Sequence, residues 1–295
     1  MFEALGFSAP AFFGQLLLGI INGAFYALLS LGLSIIFGLL NIVNFTHGAL
    51  YMIGAMVAWM LATYFGIGYW PALLIAPIFV CLFGIFLERV FIRHLYQLDH
   101  LYGLLLTFGL AMIIEGAFRN VYGVSGLSYS MPEMFQGSVN LGFMFLPLYR
   151  GWVVAVSIVV CLATWFVIER TSLGSNLRAA TENPKLTEAF GINVPRLLTL
   201  TYGFGVGLAG FAGVLAAPIY SVSPTMGANL LIVVFAVVVI GGMGSILGSI
   251  VTGFALGIIE GLTKFFYPEA ANIAVFLIMA IMLLIKPAGL FGRTS

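Results

Sequence analysis

Side chains able to do chemistry are few in this chain, and their spacing limits what they could do. Asn41, Asn44, Thr46 and His47 fall together in NIVNFTHGALYMIGA, residues 41–55, where they interrupt two apolar runs. Amide, hydroxyl and imidazole groups in such a place need hydrogen-bond partners. They could cap the orphan N–H groups of a starting helix, or they could line a pathway or gate for a polar solute. The three histidines are scattered at 47, 94 and 100, with no HExxH or paired His/Cys spacing, so nothing points to a metal. The glycine-rich GGMGSILGS, 241–249, has no lysine to reach a phosphate and does not follow GxxxxGK[ST], so the chain is not expected to hydrolyse a nucleotide itself. Cys81 and Cys161 lie inside apolar runs and read as packing residues.

The carboxylates are equally sparse. Asp99 is the only aspartate and lies in a polar loop. Glu115 and Glu260 come nearest to the interior of apolar runs, and each is followed four residues later by a base, Arg119 and Lys264. That spacing reads as helix-surface pairs close to a membrane interface or as groups with a role in substrate passage, not as the mid-membrane ion site that an ion-coupled secondary carrier needs. Charge is concentrated instead in residues 169–196, ERTSLGSNLRAATENPKLTEAFGINVPR, which hold seven of the chain's 21 charged residues. A polar loop of short amphipathic helices between apolar spans can present a rigid face to a soluble partner. Arg178, Glu182, Lys185, Glu188, Ala189, Gly191 and Arg196 are the candidate contact residues.

The elements that must position these groups are membrane helices. With 62% hydrophobic residues, 7% charged residues and a mean hydropathy of +1.15, most of the chain cannot be the surface of a soluble fold. A net charge of +1, with no basic run interleaved with aromatics, gives no electrostatic case for nucleic acid as a partner. Apolar runs at about 11–39, 46–64, 70–90, 101–118, 151–168, 197–216, 228–241, 245–263 and 271–286 predict an all-α polytopic protein of eight or nine spans in a single domain, 1–295. The first run is too long for one straight crossing and should tilt, bend or break. GGMGS at 241–245 is either a turn between two spans or a kink within one. The N-terminus carries Glu3 and no base, so the first span is not read as a cleaved signal.

Arg89, Arg93, Arg170, Arg178, Lys185, Arg196, Lys286 and Arg293 fall on one side, and Arg119, Arg150 and Lys264 on the other. The positive-inside rule then makes the 169–196 loop and the C-terminus cytoplasmic, with the N-terminus outside. The loop of about 119–150 faces outward as a cap or re-entrant segment. Glycines recur at four-residue spacing: Gly19 with Gly23, Gly203 with Gly207, Gly244 with Gly248, and Gly253 with Gly257 and Gly261. Such ridges allow close helix approach. Gly203, Gly207, Gly241, Gly244, Gly248 and Gly253 are candidates for close-packed helices that move.

Several stretches resemble the H-type permease subunit of branched-chain amino acid ABC importers, nearly end to end. GLSIIFGLLNIVNFTHGALYMIGA at 32–55 is similar to that family's first-span and NFAHG region, with Thr46 where Ala is usual. RAATENPKLTEAFGINVPR at 178–196 is similar to its cytoplasmic coupling segment. AGVLAAP at 212–218, VVIGGMGSILGSIVTGFALGIIE at 238–260 and KPAGLFG at 286–292 complete the order. Glu188, Ala189 and Gly191 are spaced more tightly than in the Glu-Ala-Ala loop of general importer permeases, so the coupling role is carried onto the whole RAATEN-to-GIN segment.

The resemblance implies a multi-pass protein of the bacterial inner membrane that translocates leucine, isoleucine and valine. It also implies the partners: a second permease, either an M-type sister chain or another copy, two cytoplasmic ATP-binding subunits that hydrolyse ATP, and an external solute-binding protein. No cofactor is expected in this chain. Permeases for urea, short amides or other amino acids share the pattern. From the residues alone, an ion-coupled carrier and a non-transporting anchor remain open.

Overall fold

The computed structural model describes residues 8–40, 43–96 and 98–292. The first apolar run winds as one unbroken helix, α1 (Ala9–Leu40), of 32 residues, about 48 Å at 1.5 Å per residue. Of tilting, bending or breaking, the break is therefore excluded. Helix α2 (Thr46–Phe65) ends at Gly66, whose φ of +65° allows the left-handed stop that closes a helix. Helix α3 (Tyr69–Val90) leads into one turn of 3-10 helix, Ile92–Leu95. Helix α4 (His100–Tyr122) starts where the Asp99 carboxylate accepts the N–H of Leu101 at 2.9 Å.

The segment read as a cap or re-entrant piece holds a small β-hairpin. Its strands are β1 (Ser138–Asn140) and β2 (Phe145–Pro147), with Val139 opposite Leu146. Next come α5 (Leu148–Arg170), two short helices α6 (Ser172–Glu182) and α7 (Pro184–Ala189), α8 (Val194–Ala216) and α9 (Met226–Gly241). The last helices are α10 (Ile246–Phe266) and α11 (Ala271–Ile285). GGMGS is a turn: Gly242 and Gly244 take φ of +102° and +82°, which side-chain-bearing residues rarely adopt. Among the described residues seven helices, α1–α5, α8 and α10, are long and apolar enough to cross a bilayer. With the shorter apolar α9 and α11, of 16 and 15 residues, they account for the eight or nine predicted spans.

The chain packs as two compact units. In the unit built from described residues of 31–130 and 162–232, α8 lies along α2 and α3 with backbone nearly touching side chain. A Cβ at Gly203 would meet Ile85 Cγ1 at 2.6 Å, and one at Gly210 would meet Val80 Cβ at 2.8 Å. In the unit built from described residues of 1–30, 131–161 and 233–295, α1 lies against α10, and a Cβ at Gly253 would meet Ala27 Cα at 2.5 Å. Lipid tails are as apolar as leucine, so close approach through small residues holds such helices together, not release of water.

Candidate functional site

The polar loop folds into a two-helix plate. Asn183 ends α6, and its side chain accepts the Leu186 N–H at 3.0 Å to start α7, where Pro184 fits because the first helical position needs no N–H. Gly191, at φ +84°, turns the chain, and Asn193 caps α8 by accepting the Arg196 N–H at 3.0 Å. Arg178 ties the plate to the end of α5, donating to the Ile168 carbonyl at 3.3 Å and pairing with Glu169 at 3.4 Å. Gly174 lies so close to the Ile168 carbonyl that no side chain would fit there. Leu177, Ala180 and Thr187 are buried beneath.

All seven predicted contact residues, Arg178, Glu182, Lys185, Glu188, Ala189, Gly191 and Arg196, are exposed. Sequence reasoning missed the apolar part of the same surface: Leu173, Leu186 and Phe190 are exposed as well, Phe190 at 79%. The exposed side of the helix pair is therefore mixed, polar and apolar.

Three of the four predicted pathway residues come together at the start of α2. Asn44, Thr46 and His47 are all almost completely buried, whereas Asn41 lies outside the described residues. The Asn44 side-chain oxygen accepts the Thr46 N–H at 3.1 Å and also the Thr46 hydroxyl, so the capping reading accounts for this side of the amide. Its NH2 group donates to the Tyr202 hydroxyl at 3.1 Å, which links α2 to α8. Thr107 on α4 donates to the Val43 carbonyl at 3.1 Å and accepts the Phe45 N–H at 3.2 Å. Gly32 of α1 passes His47 so closely that a Cβ there would lie 3.0 Å from the imidazole Cε1.

The polar seam continues through residues that sequence reasoning had not selected. Glu88 on α3 is 1% exposed and accepts from Tyr96 at 2.6 Å and from Thr199 on α8 at 2.8 Å. Burial, and after it the hydrogen bond to Glu88, push the Tyr96 hydroxyl above the usual tyrosine range, so it stays a neutral donor. A carboxylate closing an apolar span beside Arg89 was the available signal, but Tyr202 and Thr199 left none, because isolated hydroxyls on an apolar helix look like packing.

Glu115 and Arg119 form an ion pair at 2.6 Å on α4. Lys264 pairs with Glu260 on α10, whose other carboxylate oxygen accepts from the buried Tyr26 hydroxyl at 2.5 Å. Among the predicted moving glycines, Gly203 and Gly207 face Cys81 on α3, Gly253 faces α1, and Gly241 and Gly248 face each other. Gly244 lies in the turn between α9 and α10, on neither helix.

The arrangement offers ordered contacts and a buried hydrogen-bonded seam, and the described residues hold no group of three His, Cys, Asp or Glu side chains fit for a metal. Known proteins resemble the chain along nearly its whole length. The high-affinity branched-chain amino acid transport system permease protein LivH of Escherichia coli K12 is 29% identical over 96% of both chains. BraD, the permease protein of the corresponding Pseudomonas aeruginosa system, is 29% identical over 95% of both. LivM, another permease protein of the Escherichia coli system, is 26% identical over 91% of this chain and 68% of its own. The sequence pattern of the family described as "Branched-chain amino acid transport system / permease component" matches residues 15–286, and the chain belongs to that family.

Proposed function

We propose that this permease forms half of the membrane pathway of an ATP-driven importer of leucine, isoleucine and valine. The reading is carried by the pre-formed, exposed plate of α6 and α7 in a chain that matches a transport-permease family from residue 15 to residue 286. The other half of the pathway is a sister permease, as LivH and LivM are both permease proteins of the Escherichia coli system. Two cytoplasmic ATP-binding subunits dock on the plate, an external solute-binding protein delivers the amino acid, and this chain carries neither a nucleotide site nor a cofactor. The plate and the C-terminus face the cytoplasm of a cell bounded by this inner membrane, and the N-terminus faces outward, as the distribution of Lys and Arg favours.

The local chemistry supplies a route for coupling. Helix α8 begins just past Gly191, and within its first three turns Thr199 holds Glu88 of α3 and Tyr202 holds Asn44 of α2. A displacement of the plate when the ATPases close therefore pulls on α2 and α3 through buried hydrogen bonds, and Gly203 and Gly207 give α8 a smooth face against α3.

The decisive test is reconstitution of the chain with its sister permease, ATPases and binding protein, scoring uptake of leucine against urea. Uptake of leucine that stops on ATP depletion and survives ionophores is expected; uptake that persists without ATP overturns the reading. Gly191→Trp should insert normally yet lose ATPase pull-down and uptake, because a side chain at Gly191 meets nothing of this chain within 4 Å and would project its bulk from the plate toward the proposed ATPase contact. Gly191→Asn, which tolerates the positive φ, should retain both. Normal transport by Gly191→Trp would make the plate a solvated linker.

A further inference from the structure

Within the unit that holds the polar seam, the start of α2 at Gly48, the α4 face carrying Phe108, Met112 and Glu115, and the start of α9 at Ala228 and Leu231 line a partly open cavity of about 210 Å3, with Phe108 and Met112 exposed at its mouth. That is below the roughly 300–1,000 Å3 of sites for drug-sized ligands, on the scale of a single small solute. Its walls are apolar apart from one ionisable side chain, Glu115. Glu115 gives one oxygen, Oε1, to Arg119, one turn further along α4; among the described residues its second oxygen accepts no hydrogen bond. Arg119 lies one helical turn beyond the lining residue Glu115 and is half exposed, so the pair puts a positive charge just outside the apolar pocket and a negative one on its wall. Phe108 and Glu115 are two helical turns apart, about 10 Å.

The complement of such a site is a small zwitterion with an aliphatic side chain. We propose that this cavity is a waypoint for the translocated amino acid, its branched side chain lodged among Phe108, Met112 and Leu231, its ammonium on Glu115 and its carboxylate on Arg119. The proposal rests on the permease reading above and deepens it by naming where one half of the pathway holds the solute. A lipid acyl chain would suit the walls but would desolvate the Glu115 carboxylate with nothing in return, whereas an ammonium replaces the lost water. The same i,i+4 pair thus serves as a zwitterion clamp and not only as an interfacial anchor.

The test uses the complete reconstituted transporter in nanodiscs and a photoreactive diazirine analogue of leucine as the probe. Crosslinks should fall on α4 and α9 and be suppressed by excess leucine. They should not be suppressed by 4-methylpentanoate, which lacks the ammonium, or by isoamylamine, which lacks the carboxylate. Glu115→Gln, which keeps the shape, and Ala228→Phe, which fills the chamber, should each cut the leucine-suppressible labelling by about tenfold or more, the scale of a lost hydrogen bond to a charged group. Labelling that leucine does not suppress overturns the proposal. So does suppressible labelling that Glu115→Gln leaves unchanged, or equal competition by 4-methylpentanoate. Leucine uptake by the same preparation separates the two readings: intact uptake without suppressible labelling removes only the waypoint, and absent uptake removes the permease's assigned substrate.

Discussion

Helices α4 and α10 are near twins by composition and have different environments. Their spans are 22 and 21 residues long with mean hydropathy of 1.8 and 1.7, and each closes with a glutamate and a base four residues later. Half of the most apolar stretch of α10 is buried inside the protein, against 11% of that of α4. The difference lies in the register of their glycines. Gly253, Gly257 and Gly261 recur every fourth residue on α10 and meet the backbone of α1, while Gly109 and Gly116 on α4, seven apart, have nothing within 4 Å of where a side chain would go. Where the solvent is lipid, apolarity does not decide whether a helix meets another helix, but a continuous stripe of small residues does. The acid-base pairs follow their helices: Glu260 is sealed in with Tyr26, and Glu115 sits at a cavity rim.

The sharpest way to break this contrast is to add bulk to each helix. Gly257→Leu would drive a side chain into the backbone of Gly19 and Gly23 and should cost about 3 kcal/mol, seen as a large fall in the unfolding temperature of purified protein. Gly109→Leu and Gly116→Leu should leave that temperature unchanged or raise it slightly; equal damage from both helices would end the glycine argument. The second effect is electrostatic. Glu260→Ala removes a buried, charge-assisted hydrogen bond from Tyr26 and should cost about 2 kcal/mol, whereas Glu115→Ala, in an exposed pair, should cost about 0.5 kcal/mol or less. Similar losses would mean that burial does not separate the two pairs. The smallest effect sharpens the cause: a double-mutant cycle of Tyr26→Phe with Glu260→Gln should return a coupling of about 1.5 kcal/mol, and a cycle near zero would place the cost of Glu260→Ala elsewhere.

Much of the fold was legible because helices in lipid must be long and apolar, and that demand writes itself into composition. The turn at GGMGS was ambiguous by hydropathy, and it resolves through Gly242 and Gly244, whose positive φ no run of apolar residues announces. The plate was legible as charge, but Phe190 and Leu186 were not, because an apolar residue in a polar loop has the same letter whether it faces inward or out. At the seam, Asn44, Thr46 and His47 stood out against apolar neighbours. Their partner Tyr202 is 158 residues away from Asn44, and a pairing at that distance leaves no local trace. Glu260 and Lys264 were readable from spacing; the Tyr26 hydroxyl that completes them sits 234 residues away.

The KPAGLFG segment has a consequence for biosynthesis. The N–H groups of Leu290 and Phe291 donate to the carbonyls of Ile240 and Gly241 at 2.8 and 3.0 Å, closing the last turn of α9, and Gly289 lies against Gly242. Those carbonyls leave the ribosome 50 residues before their partners do. The end of α9 is thus finished only after α10 and α11 have been made, so a nascent chain halted short of Leu290 carries an unsealed helix end.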